Sequence, residues 1–174
     1  MIRPPIVRAT VLVAVLAACS AFGADQGPVN QGSVKVEPSV LQGPRPLAKQ
    51  TETAVVRDYL EAWQSLSAAL EQNRTELLSQ DFVGTARDKF AQTIEEQAKL
   101  GIRTRYQERS HDIRIVFYSP DGLSIQLVDN IEYQVQLLDH EKTQTTQVIR
   151  ARYVAVLTPA EVRWRVRVLQ TDSQ

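Results

Sequence analysis

The sequence has one cysteine, Cys19, and only two histidines, His111 and His140, in 174 residues. So few thiols exclude a disulfide framework and a thiolate metal site. The sequence also lacks the Gly-x-Ser-x-Gly, His-Glu-x-x-His and glycine-rich phosphate-loop motifs. Two isolated histidines are typical of surface positions. We therefore expect no metal, no cofactor and no catalytic residue, apart from the alternative discussed below for Asp129.

The chain also lacks an excess of either charge, with 20 basic and 20 acidic side chains. Removing residues 1–24, which contain Arg3 and Arg8 and no acidic residue, leaves 18 basic and 20 acidic side chains, a net charge of −2. Binding to nucleic acid depends on a strongly basic face or tail. The composition therefore argues against a nucleic-acid partner.

Residues 1–24 have the pattern of a bacterial export signal. A short positive segment with Arg3 and Arg8 precedes ten uncharged, mostly apolar residues, 9–18, too few for the roughly 20 that span a bilayer. The run ends Leu-Ala-Ala-Cys at residues 16–19, which resembles the lipobox of bacterial lipoproteins. That resemblance implies lipidation of Cys19, the first residue of the mature protein, and attachment to a membrane.

An ordinary secretory signal cut near residues 21–23 is the alternative, and it would give a freely secreted protein. Either signal places the mature protein outside the cytoplasm. Because Ser20 follows the cysteine where an inner-membrane retention signal has aspartate, the lipoprotein interpretation predicts a periplasm-facing position at the outer membrane.

Proline and glycine are concentrated in residues 25–50, where apolar residues are few. Such a segment cannot bury enough apolar surface to offset its ordering entropy, so we predict a disordered tether. Residues 51–170 then form one domain.

Helical periodicity comes first in this domain. Val56, Tyr59, Trp63, Leu66 and Leu70 recur every three or four residues and predict a long amphipathic helix over 51–73. A weaker helical stretch follows at 75–79. A second helix is predicted from residue 85 to Gly101.

The apolar period then changes to two, which is typical of strands. The alternating runs cover residues 113–117, 123–137, 149–157 and 162–168. The second run keeps its parity throughout and predicts one long strand, with a bulge as an option near Asp129-Asn130. Helices followed by antiparallel strands predict an α+β domain with its helices on one face of a curved sheet.

This layout resembles the nuclear-transport-factor-2-like, or cystatin-like, superfamily of α+β cones. The matching features are the opening helix over 51–73, the helical segment that ends at Gly101, and the closing strand with Val-Arg-Trp-Arg-Val at 162–166. The resemblance covers residues 51–169. It implies one of three roles: a ketosteroid-isomerase-like enzyme, a dehydratase-like small-molecule binder, or an extracytoplasmic domain of a transport or secretion assembly.

Asp129 is the unusual polar residue, since strand parity places it with Leu127 and Ile131 on the apolar face. An inward carboxylate would have a raised pKa suited to a general base. Tyr133, Tyr153 and Trp164 share this parity and are candidates to line a pocket with it, or are simply core. A bulge at Asp129-Asn130 would instead turn the carboxylate to solvent.

The opposite parity places an arginine-rich set on the outer face of the sheet. Arginine forks bind carboxylates and phosphates, so this face is a candidate interaction surface for an anionic protein partner, a lipid headgroup or a second copy of the domain. The alternative is a solvated face on which the arginines pair with Glu132 and other acids. The set comprises Arg114, Glu132, Arg150, Arg152, Arg163, Arg165 and Arg167.

The sequence therefore predicts an exported, membrane-tethered, non-enzymatic binding or assembly domain of the cell envelope, with a protein partner or itself as a homodimer. The alternative is a small-molecule binder or enzyme of ketosteroid-isomerase type with Asp129 as its base. A third possibility is a purely structural protein of the envelope.

Overall fold

The structure is a computed structural model that describes residues 32–39, 41 and 45–172. The predicted leader and Cys19 lie outside the described residues. In chain order the elements are β1 (Ser33–Val36), α1 (Lys49–Gln72), a 3-10 turn (Thr75–Leu78), α2 (Gly84–Lys99), β2 (Ile102–Tyr118), β3 (Ile125–Asp139), β4 (Lys142–Pro159) and β5 (Trp164–Thr171).

The helix α1 has the apolar stripe that its sequence predicts. Its five periodic residues, from Val56 to Leu70, are all buried in the core. The helix ends at Asn73, whose left-handed backbone (φ 54°) lets its N–H bond to the carbonyl of Ala69. The Asn73 side chain also donates to the carbonyl of Ile102 at 2.9 Å. This bond fixes the end of α1 against the start of β2.

The five strands lie in the order β1-β2-β3-β4-β5. β2, β3, β4 and β5 pair antiparallel, and β1 pairs with β2 in parallel. β3 is one long strand, as predicted. β2 begins at Ile102, well before the predicted start at residue 113. The prediction missed its first half because that part of the strand is polar and lacks an apolar alternation.

The segment predicted to be a disordered tether, residues 25–50, differs from that prediction where the structure describes it. Ser33–Val36 forms β1 along the edge of β2, with Ser33 opposite Ser110. All four β1 residues are exposed, so backbone pairing rather than burial holds the strand. Leu41 and Leu47 pack against the core, and the guanidinium of Arg45 lies 4.9 Å from the ring centre of Tyr118.

The helices pack against one face of the curved, unclosed sheet, which confirms the predicted α+β class. The sheet is mixed rather than purely antiparallel because of β1. The far edge of β5 also pairs with the segment before α2. The Val83 N–H donates to the Val166 carbonyl and the Val166 N–H donates to the Asp81 carbonyl. No helix within the described residues is long and apolar enough to cross a membrane.

Candidate functional site

Asp129 lies inside the cone formed by the sheet and the helices. It is opposite Ile113 on β2 and Tyr153 on β4, with no break in either register at this point. Its exposed fraction is 0%. The alternative of a bulge that turns Asp129 to solvent is therefore wrong, and strand parity alone places this carboxylate correctly.

Three elements bring polar groups to Asp129. The Tyr59 hydroxyl of α1 donates to Oδ2 at 3.0 Å, and Nδ1 of His111 on β2 lies 2.7 Å from the same oxygen. The other oxygen, Oδ1, is buried and has no hydrogen-bond partner among the described residues. A buried polar atom without a partner carries a desolvation cost of about 1–3 kcal/mol.

His111 was predicted to be a surface residue, and that prediction is wrong, because its exposed fraction is only 2%. The β2 register shifts between Glu108 and Ser110, so Arg109 is the extra residue of a bulge. Past the bulge, His111 shares its face with Ile113 and Ile115. Extending the odd-numbered alternation of residues 113–117 back by one step would have found it.

His111 lies between two carboxylates. Its Nε2 is 3.3 Å from Oε2 of Glu108, and its Nδ1 faces Asp129. Burial lowers the pKa of His111, but the hydrogen bonds and negative charges of Asp129 and Glu108 outweigh this effect and raise it to about 9. The imidazole is therefore protonated at neutral pH and bonded at both nitrogens.

Aromatic rings enclose this polar cluster. Trp63 contacts His111, Tyr133 and Tyr153, with ring centres 6.0, 6.1 and 5.3 Å apart. The hydroxyls of Tyr133 and Tyr153 lie 3.2 Å apart. Burial is the main cause that raises the pKa of Tyr59, of Tyr133 and of Tyr153, so all three phenols stay neutral. Nε1 of Trp63 is also buried without a partner among the described residues.

A small pocket of about 110 Å³ adjoins the aromatic rings. Tyr153 is the only predicted pocket residue in its wall. Asp129 lies behind the wall, and Tyr133 contacts Tyr153 from within. Trp164 belongs elsewhere, because its ring packs against Tyr118 and its backbone N–H donates to Oδ2 of Asp58 in the first half of α1. The wall consists of Trp63, Leu66, Lys89, Phe90, Tyr106, Tyr153, Leu169, Gln170 and Thr171.

The polar cluster is therefore closed off from the pocket. Tyr59 and Asp129 are each 0% exposed, and Trp63 covers His111. A general base acts only within hydrogen-bond reach of its substrate. In this arrangement Asp129 is hydrogen-bonded to His111 and Tyr59 and is not exposed to a substrate in solution.

Four of the seven predicted interaction residues lie together on the outer sheet face, which we define by Arg114, Glu132, Arg150 and Arg152. Cross-strand neighbours support this placement, since Glu132 is opposite Arg150 and Arg114 is opposite Val128. Nε of Arg150 donates to Glu132 at 2.7 Å and lowers the pKa of that carboxyl. Arg152 pairs with Asp172 at 2.9 Å. Exposed pairs of this kind stabilise a fold by at most about 1 kcal/mol.

Apolar side chains continue the outer sheet face. Val128 lies opposite Val154, and Val156 lies opposite Val168. All four are half-buried, and no described helix packs on this side of the sheet. The face therefore has an apolar centre beside exposed arginines.

The other three arginines lie apart from these four, at the β5 edge of the sheet, and Arg167 is the extra residue where the β4–β5 register shifts. Arg163 precedes β5 and forms ion pairs with Asp81 and with Glu61 on the helix side. Arg165 donates to the carbonyls of Ser79 and Phe82. The Arg167 side chain runs past Gly84 at the start of α2. The seven predicted residues therefore do not form one surface, although Arg165, opposite Thr158, keeps the predicted outward parity.

The second histidine lies at the surface, away from the polar cluster. His140 lies in the β3–β4 turn, 85% exposed, beside Asp139. Within the described residues no group of three or more histidine, cysteine, aspartate or glutamate side chains is arranged to bind a metal ion.

No protein-family model matches the chain, and no curated protein matches it. Solved structures do match. The intermembrane space region of the chloroplast protein ARC6 aligns over 75% of this chain and 100% of its own, with 18% identity and a TM-score of 0.61. ActVI-ORFA from Streptomyces coelicolor aligns over 67% of this chain and 95% of its own, with 13% identity and a TM-score of 0.47. Aln2 from another Streptomyces strain aligns over 74% and 93%, with 11% identity and a TM-score of 0.48.

The alignment with the ARC6 region shows an α+β fold of helices on a curved, unclosed sheet, which is consistent with the nuclear-transport-factor-2-like cone that the sequence resembles. At these identities the matches show the fold alone. The ARC6 domain is an intermembrane space region of a chloroplast protein, so this fold also occurs in a domain between two membranes of an organelle.

Proposed function

We propose that this protein is an exported, envelope-tethered, non-enzymatic domain that binds a partner protein through the outer sheet face. Residues 1–24 act as the export signal in this proposal, and Cys19 carries the lipid that anchors the mature chain at the outer membrane, facing the periplasm. The envelope context of the ARC6 region, which aligns over its whole length, supports a role of this kind.

The observation that carries the proposal is the uncovered outer sheet face. An apolar centre beside exposed arginines is the composition of many protein-binding surfaces, where arginine is enriched and the rim is polar. Arg114 and Arg152 are exposed at positions where a partner can reach them. Their charge favours a partner with acidic side chains around an apolar patch.

The interior supports the non-enzymatic part of the proposal. The groups with acid–base capacity, Asp129 and His111, bond to each other and to Tyr59 behind the ring of Trp63. Their geometry is that of a buried polar network that fixes α1, β2 and β3 relative to one another.

The binding proposal is tested by charge reversal. Arg114→Glu combined with Arg152→Glu should abolish capture of the partner by chemical crosslinking in intact cells, because the partner's acidic groups would then meet like charges. Arg74→Glu combined with Arg87→Glu, on exposed helix-side positions, is the matched control and should leave capture unchanged. Equal losses in the two double variants would contradict the assignment of this face.

The anchoring proposal is tested by metabolic labelling with a fatty acid. The wild-type chain should incorporate the label and fractionate with the outer membrane, whereas Cys19→Ser should lose both properties. An unlabelled, soluble wild-type chain that begins near residues 21–23 would support the ordinary secretory signal instead.

A second candidate function is a small-molecule binder of ketosteroid-isomerase type in the cone. The specific observation in its favour is Nε1 of Trp63, which belongs to a residue of the pocket wall and has no hydrogen-bond partner among the described residues. Native mass spectrometry of the exported chain distinguishes the candidates. A bound small molecule that is lost in a pocket-filling Leu169→Trp variant would support this second function, and a chain that carries no extra mass would contradict it.

A further inference from the structure

The strand β4 is much longer than β5, its neighbour on the side away from β3. β5 pairs with β4 only from Tyr153 to Pro159, and the Asp172 N–H extends the contact to the Arg152 carbonyl. Within the described residues nothing pairs with that edge of β4 between Lys142 and Ala151. Residues 142–148 are exposed throughout. A row of backbone donors and acceptors is therefore open to another strand.

This open edge lacks most features that protect natural edge strands, which are proline, charge, bulges and short length. One bulge is present at its start, where the register skips Gln144. From residue 145 to 151 the strand is regular, and residues 145–149 contain no charge and no proline. Thr145, Thr146, Val148 and Ile149 are β-branched and favour the extended conformation.

We infer that this edge, residues 145–151, pairs antiparallel with the same edge of a second copy, about a two-fold axis at Val148. In this register Thr146 lies opposite Arg150, Gln147 opposite Ile149, and Thr145 opposite Ala151, so no charge faces a like charge. A register centred on Thr146 would instead place Lys142 opposite Arg150. Centring on Val148 pairs the whole regular segment with itself and sets no like charges opposite each other, which favours a second copy over a different protein.

The pairing joins two sheets into one continuous sheet. A two-fold axis perpendicular to the sheet keeps the outer faces of both copies on the same side. Val148, 47% exposed on the outer face, meets its counterpart at the axis. This inference is independent of the proposed function, although a dimer of this kind would place two outer sheet faces side by side.

A disulfide crosslink tests the register. Residues directly opposite in an antiparallel pair have Cα atoms about 4.5–5.5 Å apart, within the roughly 4.4–6.8 Å range of disulfides. In the full chain with Cys19→Ser, a Val148→Cys variant should convert mostly to a crosslinked dimer under mild oxidation. Val162→Cys, at an 85% exposed turn position, is the matched control and should remain monomeric on denaturing gels.

Sedimentation velocity provides a second measurement that does not depend on thiol chemistry. Val148→Lys places two ammonium groups opposite each other at the axis and should raise the dimer dissociation constant at least tenfold, whereas Val162→Lys should leave it unchanged. Three results would overturn the inference: a wild-type chain that stays monomeric, equal crosslinking at positions 148 and 162, or a Val148→Cys crosslink to a different protein.

Discussion

His111 and Asp129 show how a buried charged pair can arise in a chain with almost no other sign of chemistry. Each residue replaces an apolar side chain at an inward position of its strand. Desolvation makes an isolated buried charge costly. The cluster compensates through short bonds from Tyr59 and His111 to one carboxylate oxygen. Its net effect on stability should therefore depend on pH.

The first prediction concerns that pH dependence. The pKa of His111 is about 9 in the folded protein and about 6.5 in an unfolded chain. Because the folded value is higher, its stabilising effect is complete below about pH 6.5 and is lost as pH rises through 9. We expect the free energy of unfolding to fall over this window, with a slope approaching about 1.4 kcal/mol per pH unit, in denaturant titrations at several pH values.

The matched controls are the two histidine substitutions. His111→Gln should remove the slope and lower the overall stability, since Asp129 loses its closest donor. His140→Gln, on an exposed side chain, should leave the curve unchanged. A wild-type protein whose stability is constant from pH 6.5 to 9 would contradict the assigned protonation of His111.

At the scale of elements, the sequence predicted those helices and strands that bury one face against the core. The α1 stripe and the alternation in β3 lie on the core, and their patterns predicted the elements and the inward position of Asp129. The first half of β2, a polar extension beyond the core, has no such pattern. β1 is fully exposed and held by backbone pairing, for which side-chain patterns carry no signal. The bulge at Arg167 explains the displacement of that arginine, whereas His111 was missed because the predicted strand began only at residue 113.

The second prediction concerns the attachment of β5 to the helices. Asp81 is 4% exposed and accepts hydrogen bonds from Ser65 and Arg163. Asp81→Ala leaves those donors without a partner and should lower the free energy of unfolding by about 2–3 kcal/mol. Asp88→Ala, on an exposed position of α2, should change it by less than about 0.5 kcal/mol. Chemical denaturation measures both, and equal values would contradict this role of Asp81.

The third prediction concerns the segment before α1. A chain that starts at residue 32 keeps β1 and the contacts of Leu41, Arg45 and Leu47, whereas one that starts at residue 49 loses them. Removing two partly buried leucines should lower the free energy of unfolding by about 2 kcal/mol or more. We expect a melting temperature several degrees lower for the shorter chain in calorimetry. Equal melting temperatures would support a tether that extends to residue 50.

At the scale of the whole molecule, polar groups are distributed unequally between the two faces of the sheet. The inner face holds a closed network around Asp129 behind aromatic rings. The outer sheet face presents arginines and half-buried valines that no described helix covers. Sequence parity predicted this division and four of the seven outer residues. Arg163 and Arg165 instead contact the segment before α2, a tertiary contact that a single sequence does not reveal.

The fourth prediction tests the central claim, that the outer sheet face is the binding surface. A photo-crosslinking amino acid at position 154, in the apolar centre of this face, should yield a discrete adduct with the partner in intact cells. The same probe at position 162, exposed but away from this face, should yield none. The adduct should also disappear when Arg114→Glu and Arg152→Glu are added. An adduct at position 162 alone, or none at position 154, would contradict the account.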